Sequence, residues 1–162
     1  MEIRVDDLQG SAIQALLQAH LDAMYEHSPP ESVHALDLAA LRHPSITFWT
    51  AWEDNDLMGC GALKQHDAAN AELKSMRTAD AHLRKGVAQA LLRHILSTAR
   101  ARGIQRISLE TGTGPAFKAA QKLYTSEGFV ECEPFANYVS DPYSLFMTKV
   151  LADEDLCLKS PN

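Results

Sequence analysis

The sequence lacks a long hydrophobic run and has few cysteines. No stretch of about 18 apolar residues occurs, whereas a membrane-spanning helix needs roughly 20, and the first residues do not follow a basic stretch with an apolar one, as a secretory leader does. Cys60, Cys132 and Cys157 are widely spaced and form no C-x-x-C pair, so neither a disulfide framework nor a zinc site is expected. These absences predict a cytoplasmic protein with no membrane partner.

Positive charge is also scarce. The chain has 15 lysines and arginines against 21 aspartates and glutamates, a formal net charge of −6. A nucleic-acid partner is therefore not expected, because binding several phosphates needs a positive face. The seven histidines include no H-x-x-x-H pair, which predicts packing or surface roles and no bound metal. No G-x-S-x-G motif occurs, so a serine hydrolase is not indicated.

A single folded domain is the class that remains. The 162 residues are 46% hydrophobic and 22% charged, which suits one globular domain with a sizeable core. Hydrophobic periodicity and turn residues predict the order β-α-α-β-β-β-α-β-α-β-β. The predicted strands are 3–5, 46–52, 57–64, 73–77, 107–110, 129–133 and 143–151, and the predicted helices are 11–25, 36–41, 86–102 and 115–128. This order indicates an α/β domain over residues 1–151, with one mixed, mostly antiparallel sheet flanked by helices, and a frayed tail at 152–162.

The start of the third predicted helix is a candidate anion site. Apolar residues recur at three- and four-residue spacing from 88 to 99, and Gly103 follows the last turn, so the helix begins near Gly86. A helix start exposes unpaired N–H groups and the positive end of the helix dipole. Arg84 and Lys85 stand beside the permissive glycine, and this combination stabilises an anion such as phosphate. The alternative is a solvated turn without a ligand.

Two blocks of sequence resemble the GNAT superfamily of acyl-CoA-dependent N-acetyltransferases. Residues 83–88, Leu-Arg-Lys-Gly-Val-Ala, resemble the pyrophosphate-loop motif Gln/Arg-x-x-Gly-x-Gly/Ala, from which Leu83 departs at the first position. Residues 115–129 end in A-x-x-L-Y-x-x-x-G-F, like a later helix of that family. The specific motifs lie between residues 72 and 129, and the resemblance therefore implies the GNAT fold for most of the chain.

The resemblance also implies a set of binding residues. Acetyl-CoA is the expected co-substrate, with no metal, its pantetheine arm beside the Met76 and Thr78 backbone and its pyrophosphate at the 83–88 loop. The implied cofactor contacts are Met76, Arg77, Thr78, Leu83, Arg84, Lys85, Gly86, Val87, Ala88, Phe117, Ala120 and Tyr124. In the family, the region after the first helix lies over the acceptor site, so the implied substrate contacts are Tyr25, His27 and Ser28. A homodimer is compatible with the paired terminal strands.

Acetyl transfer to an amine needs a base for the amine and a proton for the departing thiolate. The resemblance implies that Glu72, on the strand before the loop, is the base, directly or through water, and Glu110 at the end of the next strand is the alternative. Tyr124 is the expected acid, because a phenol with an ordinary pKa of about 10 stays protonated at neutral pH. The expected reaction is direct attack by a primary amine of a small molecule or peptide in a ternary complex. A catalytically degenerate acyl-CoA-binding sensor is the alternative, and Leu83 favours it.

Overall fold

A seven-stranded sheet forms the frame of the molecule. The computed structural model describes residues 1–34 and 37–151, and within them the order of strands and helices matches the predicted order. The strands are β1 (Glu2–Val5), β2 (Ile46–Glu53), β3 (Asp56–Gln65), β4 (Asn70–Thr78), β5 (Arg106–Gly112), β6 (Val130–Glu131) and β7 (Ser144–Val150). The helices are α1 (Ser11–His27), α2 (Leu38–Leu41), α3 (Val87–Ala101) and α4 (Lys118–Ser126). The predicted start of α2 at Leu36 and the predicted tail at 152–162 lie outside the described residues.

The sheet is mixed and contains one parallel pair among the described strands. The strand order is β1-β2-β3-β4-β5-β7-β6, and β4 and β5 run parallel to each other. A parallel pair needs a crossover connection, and α3 supplies it. The predicted α/β fold with a single mixed, mostly antiparallel sheet flanked by helices is confirmed.

The two parallel strands separate along their length. They pair over residues 70–73 and 106–109, after which β4 continues to Thr78 beside β3 and β5 continues to Gly112 beside β7. Ser75 has a φ of +56° and lies in an irregularity of the β3–β4 ladder. A bulge of this kind bends its strand. The carboxyl ends of β4 and β5 therefore border a gap in the sheet.

Helices cover both faces of the sheet. On one face α3 buries Leu91, Leu92 and Ile95 in a core cluster that also includes part of α4. On the other face α1 buries Ile13 and Leu17 in a second cluster. No helix in the described ranges is long and apolar enough to cross a membrane. The gap between β4 and β5 thus lies between two helix layers.

Gly59 allows the start of α3 to approach the sheet closely. A Cβ atom at this position would lie 2.8 Å from the carbonyl oxygen of Arg77 and 2.9 Å from Cγ1 of Val87. The first contact is with backbone, which cannot move aside as a flexible side chain can. Gly59 therefore lets β3 lie close to both the Arg77 backbone of β4 and the first residue of α3.

Several element boundaries differ from the predicted ones, and two of them have a clear local cause. The first helix runs to His27 instead of residue 25, and it ends only where the pair Pro29-Pro30 follows, because a proline disfavours helical backbone in the residue before it. β6 covers only Val130–Glu131, since the Phe129 N–H bonds to the Tyr124 carbonyl oxygen at 3.0 Å and so closes α4. Both differences concern the ends of a helix or a strand, which the hydrophobic pattern does not encode.

Candidate active site

A cleft opens where β4 and β5 separate. It encloses about 140 Å³, similar to the roughly 150 Å³ of a cavity that holds benzene, so it admits a small organic group. Tyr124 of α4 lines it from one face of the sheet, and His20 of α1 lines it from the other. The cleft therefore connects the two helix layers through the gap in the sheet.

The turn before α3 presents backbone N–H groups to solvent. Arg84 and Gly86 have φ values of +63° and +81°, and the first helical hydrogen bond joins the Ala90 N–H to the Gly86 carbonyl oxygen at 3.0 Å. The amides of residues 84–89 thus precede the hydrogen-bond ladder of the helix, whose dipole adds positive potential there. A turn of this shape suits a phosphate group.

The side chains of this turn are mostly exposed, and one of them is anchored. Val87 is buried, so only its N–H can meet a ligand, and Ala88 is half-buried. The Nζ atom of Lys85 lies 3.2 Å from Nδ1 of His82, whose Nε2 lies 2.7 Å from Oδ2 of Asp56. This chain of contacts ties the turn to β3. The exposed side chains are Leu83, Arg84 and Lys85.

Tyr124 faces the cleft from α4. Its side chain is buried, and its ring stands edge-on to Phe129 with 5.8 Å between the ring centroids. Burial raises the pKa of the phenol to about 12, so the hydroxyl stays protonated around neutral pH. Phe117 and Ala120 line the same wall. A protonated phenol in this position can donate a proton to a group held in the cleft.

The other face of the sheet gives the cleft a polar wall. Glu72 lies opposite Ser108 across the parallel pair, and alternate residues of a strand share a face. Lys74 and Glu110 therefore project to the same side as Glu72, towards α1, and all three line the cleft. Their position places two carboxylates and one ammonium group at the point where the strands part.

Glu72 is held by three donors. The Nε2 atom of His66 lies 3.0 Å from one carboxylate oxygen, and Nζ of Lys74 and the hydroxyl of Tyr138 lie 3.1 Å and 2.6 Å from the other. Lys74 also donates to the Tyr138 hydroxyl at 2.9 Å. Burial and the neighbouring carboxylate raise the pKa of Tyr138, so this phenol remains a donor. Neither His66 nor Tyr138 belongs to a recognisable motif, so this network could not be predicted from the sequence.

His34 and Glu110 form a second contact in the cleft. The Nδ1 atom of His34 lies 2.5 Å from Oε2 of Glu110, and the imidazole stands edge-on to Tyr138 with 5.1 Å between centroids. Ser32, in the same segment, donates to Oδ2 of Asp141 at 2.6 Å. These contacts hold the segment after α1 over the cleft. From the sequence, this histidine is predicted to pack or to lie at the surface, because no other histidine stands at a metal-ligand spacing from it.

His20 reaches the cleft from α1. Its side chain is only 8% exposed, and its Nδ1 atom is buried without a hydrogen-bond partner among the described residues. Burial and then the Arg77 guanidinium lower the pKa of His20 to about 4, so the imidazole is neutral at neutral pH. A neutral imidazole offers one donor and one acceptor to a ligand.

The three predicted substrate contacts differ in their position relative to the cleft. Ser28 lines the cleft. His27 is exposed and stands edge-on to Phe117, with 6.3 Å between ring centroids, so it touches the wall of the cleft from outside. Tyr25 is 54% exposed and does not line the cleft. Of the three, Ser28 is therefore the best placed to meet a ligand there.

The three predicted cofactor residues of β4 lie beyond its pairing with β5, but Arg77 and Thr78 do not line the cleft. Met76 lines the cleft, and its sulfur packs so close to Gly61 that a Cβ there would lie 2.6 Å away. The Cys60 thiol donates to the Ser75 carbonyl oxygen at 3.2 Å, which supports the bulge. Arg77 lies within 3.6 Å of Asp80, and the last residue of the strand is Thr78.

Comparison with known proteins identifies the family. The family model described as Acetyltransferase (GNAT) family matches residues 13–129. YsnE of Bacillus subtilis, an uncharacterized N-acetyltransferase, is 56% identical over 151 residues, which are 93% of this chain and 100% of that protein. YedL of Escherichia coli, also an uncharacterized N-acetyltransferase, is 51% identical over 153 residues, 94% of this chain and 96% of that protein.

A solved structure leads to the same conclusion. A Klebsiella pneumoniae protein described as a candidate acyl-CoA N-acyltransferase superposes with a TM-score of 0.74 and 27% identity, covering 93% of this chain and 97% of that one. The chain belongs to the GNAT family of acetyltransferases. The predicted class of enzyme, an acetyl-CoA-dependent N-acetyltransferase, is confirmed at this level.

Proposed function

We propose that this chain transfers an acetyl group from acetyl-CoA to the primary amine of a small molecule or peptide, by direct attack in a ternary complex. The observation that carries this function is the cleft between β4 and β5, which is lined by the protonated Tyr124 on one face of the sheet and by the polar wall on the other. A thioester held in the gap would meet Tyr124, and an amine would reach it from the α1 side.

The residues around the gap fit acetyl-CoA. Its pyrophosphate would bind the amides of residues 84–88, with the Arg84 and Lys85 side chains adding positive charge. Its pantetheine arm would follow the backbone of Met76 and Thr78, where β4 no longer pairs with β5. Phe117 and Ala120 would lie on the other side of the arm. Most of these contacts are to backbone, so Leu83 in place of Gln or Arg does not remove them. The description of the Klebsiella protein supports an acyl-CoA cofactor.

The charges of the polar wall favour a cationic acceptor. Glu72 and Glu110 bring two carboxylates to the cleft and Lys74 brings one ammonium group, so the local field attracts a protonated amine. The amine must lose protons to become a nucleophile, and Glu72 and Glu110 remain the bases predicted from the sequence. Tyr124 would give its proton to the departing thiolate and regain one from solvent, as a general acid does.

Thiol release from acetyl-CoA tests this function. We expect one or more amines from a panel of amino acids, polyamines, aminoglycosides and short peptides to give release well above hydrolysis, with an acetylated product in the mass spectrum. The Gly86→Glu variant is the control for a reaction that needs bound cofactor. Saturable acetyl-CoA binding without thiol release on any amine would contradict the transferase and favour the sensor.

A further inference from the structure

We infer that His34, oriented by Glu110, is the general base that takes the proton from the acceptor amine. This assignment rests on the acetyl transfer proposed above and adds a residue to it. The acceptor first gives one ammonium proton to solvent through the open cleft. As the neutral nitrogen then bonds to the acetyl carbon, a second N–H proton passes to Nε2 of His34, which later returns it to solvent. The carbon–sulfur bond then breaks, and the thiolate takes the proton of Tyr124. His34 is thus a catalytic residue, and Glu110 is a positioning residue.

The contact between the two side chains selects the reactive nitrogen. A carboxylate can only accept hydrogen bonds, so the 2.5 Å contact between Oε2 of Glu110 and Nδ1 of His34 places the ring proton on Nδ1. The Nε2 atom then carries the lone pair. A base held by a carboxylate through its other nitrogen is the arrangement that activates nucleophiles in many unrelated enzymes.

Access to the cleft separates His34 from Glu72. The His34 side chain is 30% exposed and lines the cleft, whereas the Glu72 side chain is 3% exposed. Glu72 already accepts from His66, Lys74 and Tyr138, and an amine would have to displace one of these donors to reach it. We therefore assign to Glu72 the role of holding Lys74 and Tyr138 in place.

Several charged groups surround His34, and their signs suit a base. Glu110 faces it from β5, and Asp141 faces it from the segment before β7, where the Ser32 hydroxyl and then the Tyr143 N–H lower the pKa of Asp141. These two carboxylates stabilise the imidazolium that forms when the amine loses its proton. Tyr138 packs on the ring. The other titratable side chains that line the same cleft are Glu72, Lys74, His20, Tyr124 and Tyr143.

The base and the acid then lie on opposite faces of the sheet. Tyr124 belongs to the α4 face and His34 to the α1 face, and the cleft through the gap joins them. An amine that enters from the α1 side meets His34 before it meets the thioester, and the leaving sulfur is nearest to Tyr124. This separation keeps the proton donor and the proton acceptor from exchanging protons directly.

The experiment compares the pH profiles of four variants, one of which is Glu72→Gln for the base predicted from the sequence. His34→Gln removes the base, Glu110→Gln keeps a hydrogen-bond acceptor and removes its charge, and His43→Gln is the matched control, because the exposed His43 also contacts a side chain through Nδ1, the Ser45 hydroxyl at 2.8 Å, but does not line the cleft. The reaction is thiol release from acetyl-CoA with the best amine of the panel. If no amine reacts, hydrolysis by water in the same site is measured instead.

We expect His34→Gln to lower kcat/KM by roughly 10²-fold and to remove the pH dependence that the base gives to kcat/KM. Glu110→Gln should keep that pH dependence and lower kcat/KM less than His34→Gln does, because the glutamine oxygen can still accept from Nδ1 of His34. Glu72→Gln and His43→Gln should leave the pH dependence in place. Acetyl-CoA affinity should stay within a few-fold of wild type in all four variants, which separates loss of a base from loss of fold.

Two results would overturn this assignment, and they are distinguishable. If His34→Gln retains the wild-type pH dependence of kcat/KM and reacts within about three-fold of the wild-type rate, His34 only ties its segment to β5 and the transferase function stands. If the wild-type chain binds acetyl-CoA and releases no thiol with any amine or with water, the transferase function is refuted, and so is the assignment of His34 as its base.

Discussion

Substitution of Tyr124 by Phe removes one hydroxyl from the cleft and leaves the ring in place. The ring keeps its edge-on contact with Phe129, and the hydroxyl makes no hydrogen bond to another described side chain, so no protein group is left unpaired. We therefore expect the free energy of unfolding to change by less than about 1 kcal/mol. The effect should appear in catalysis instead.

The size of that effect follows from the chemistry of the leaving group. Loss of a positioned acid usually lowers kcat by roughly 10²- to 10⁴-fold, or about 2.7 to 5.5 kcal/mol in the activation barrier. Because burial raises the pKa of Tyr124 to about 12, only about 0.1% of the phenol is ionised at pH 9, against about 10% for an ordinary one. The wild-type kcat should therefore show no decline from this group below about pH 11.

Steady-state thiol release measured from pH 6 to pH 10 checks both expectations, and calorimetry checks that acetyl-CoA affinity is unchanged. A Tyr124→Phe enzyme with kcat within a few-fold of wild type would make Tyr124 a packing residue. A wild-type decline near pH 10 that the variant lacks would show that the phenol titrates normally, contrary to its burial.

Three further perturbations test the frame of the site. Glu72→Gln leaves the Lys74 ammonium without its buried carboxylate and should lower the free energy of unfolding in urea by about 3 kcal/mol. The same substitution of a solvated glutamate would change it very little. Gly59→Ala should lower stability by about 1–3 kcal/mol and weaken acetyl-CoA binding by displacing α3, with Gly114→Ala, where a Cβ meets nothing within 4 Å, as the control. His20 is neutral in the fold, with a pKa of about 4 against an ordinary 6.5, so protonation of the unfolded chain should destabilise the fold as pH falls from 6.5 towards 4. From pH 7 to pH 5 this loss is about 2 kcal/mol, and His20→Leu should remove it; an equal loss in both proteins would refute the assignment.

The fold was predictable because its elements are encoded locally. The apolar spacing of α3 and the left-handed glycine at its start, which has a φ of +81°, are visible in the sequence, and so are the turn between β2 and β3 and the Pro115 that precedes α4. The bulge at Ser75 was not visible. It depends on the pairing of β4 with β3 and on the Cys60 thiol that bonds to the Ser75 carbonyl oxygen.

The two sides of the cleft differ in how far the sequence reveals them. The proposed cofactor side consists of continuous segments with family spacing, and Tyr124, which the resemblance implies as a cofactor contact, lines the cleft. The acceptor side joins distant residues, such as Glu72 with Tyr138 and His34 with Glu110, which are 66 and 76 positions apart. Single histidines and a tyrosine without a motif carry no signal of such contacts, so only the tertiary structure brings them together.

The most direct test of the account is acetyl-CoA binding at the turn before α3. Gly86 and Gly103 stand at the two ends of this helix with φ values of +81° and +79°, and a Cβ at either would meet nothing within 4 Å. Glutamate at either position thus carries a similar backbone strain of about 1–2 kcal/mol, but only Gly86→Glu places a carboxylate where the phosphates should bind. We expect isothermal titration calorimetry to show that Gly86→Glu lowers acetyl-CoA affinity by about 10²-fold or more, as loss of a charge-assisted phosphate site should. The affinity of Gly103→Glu should be unchanged. Wild-type affinity in Gly86→Glu would contradict the central claim that this turn holds the cofactor.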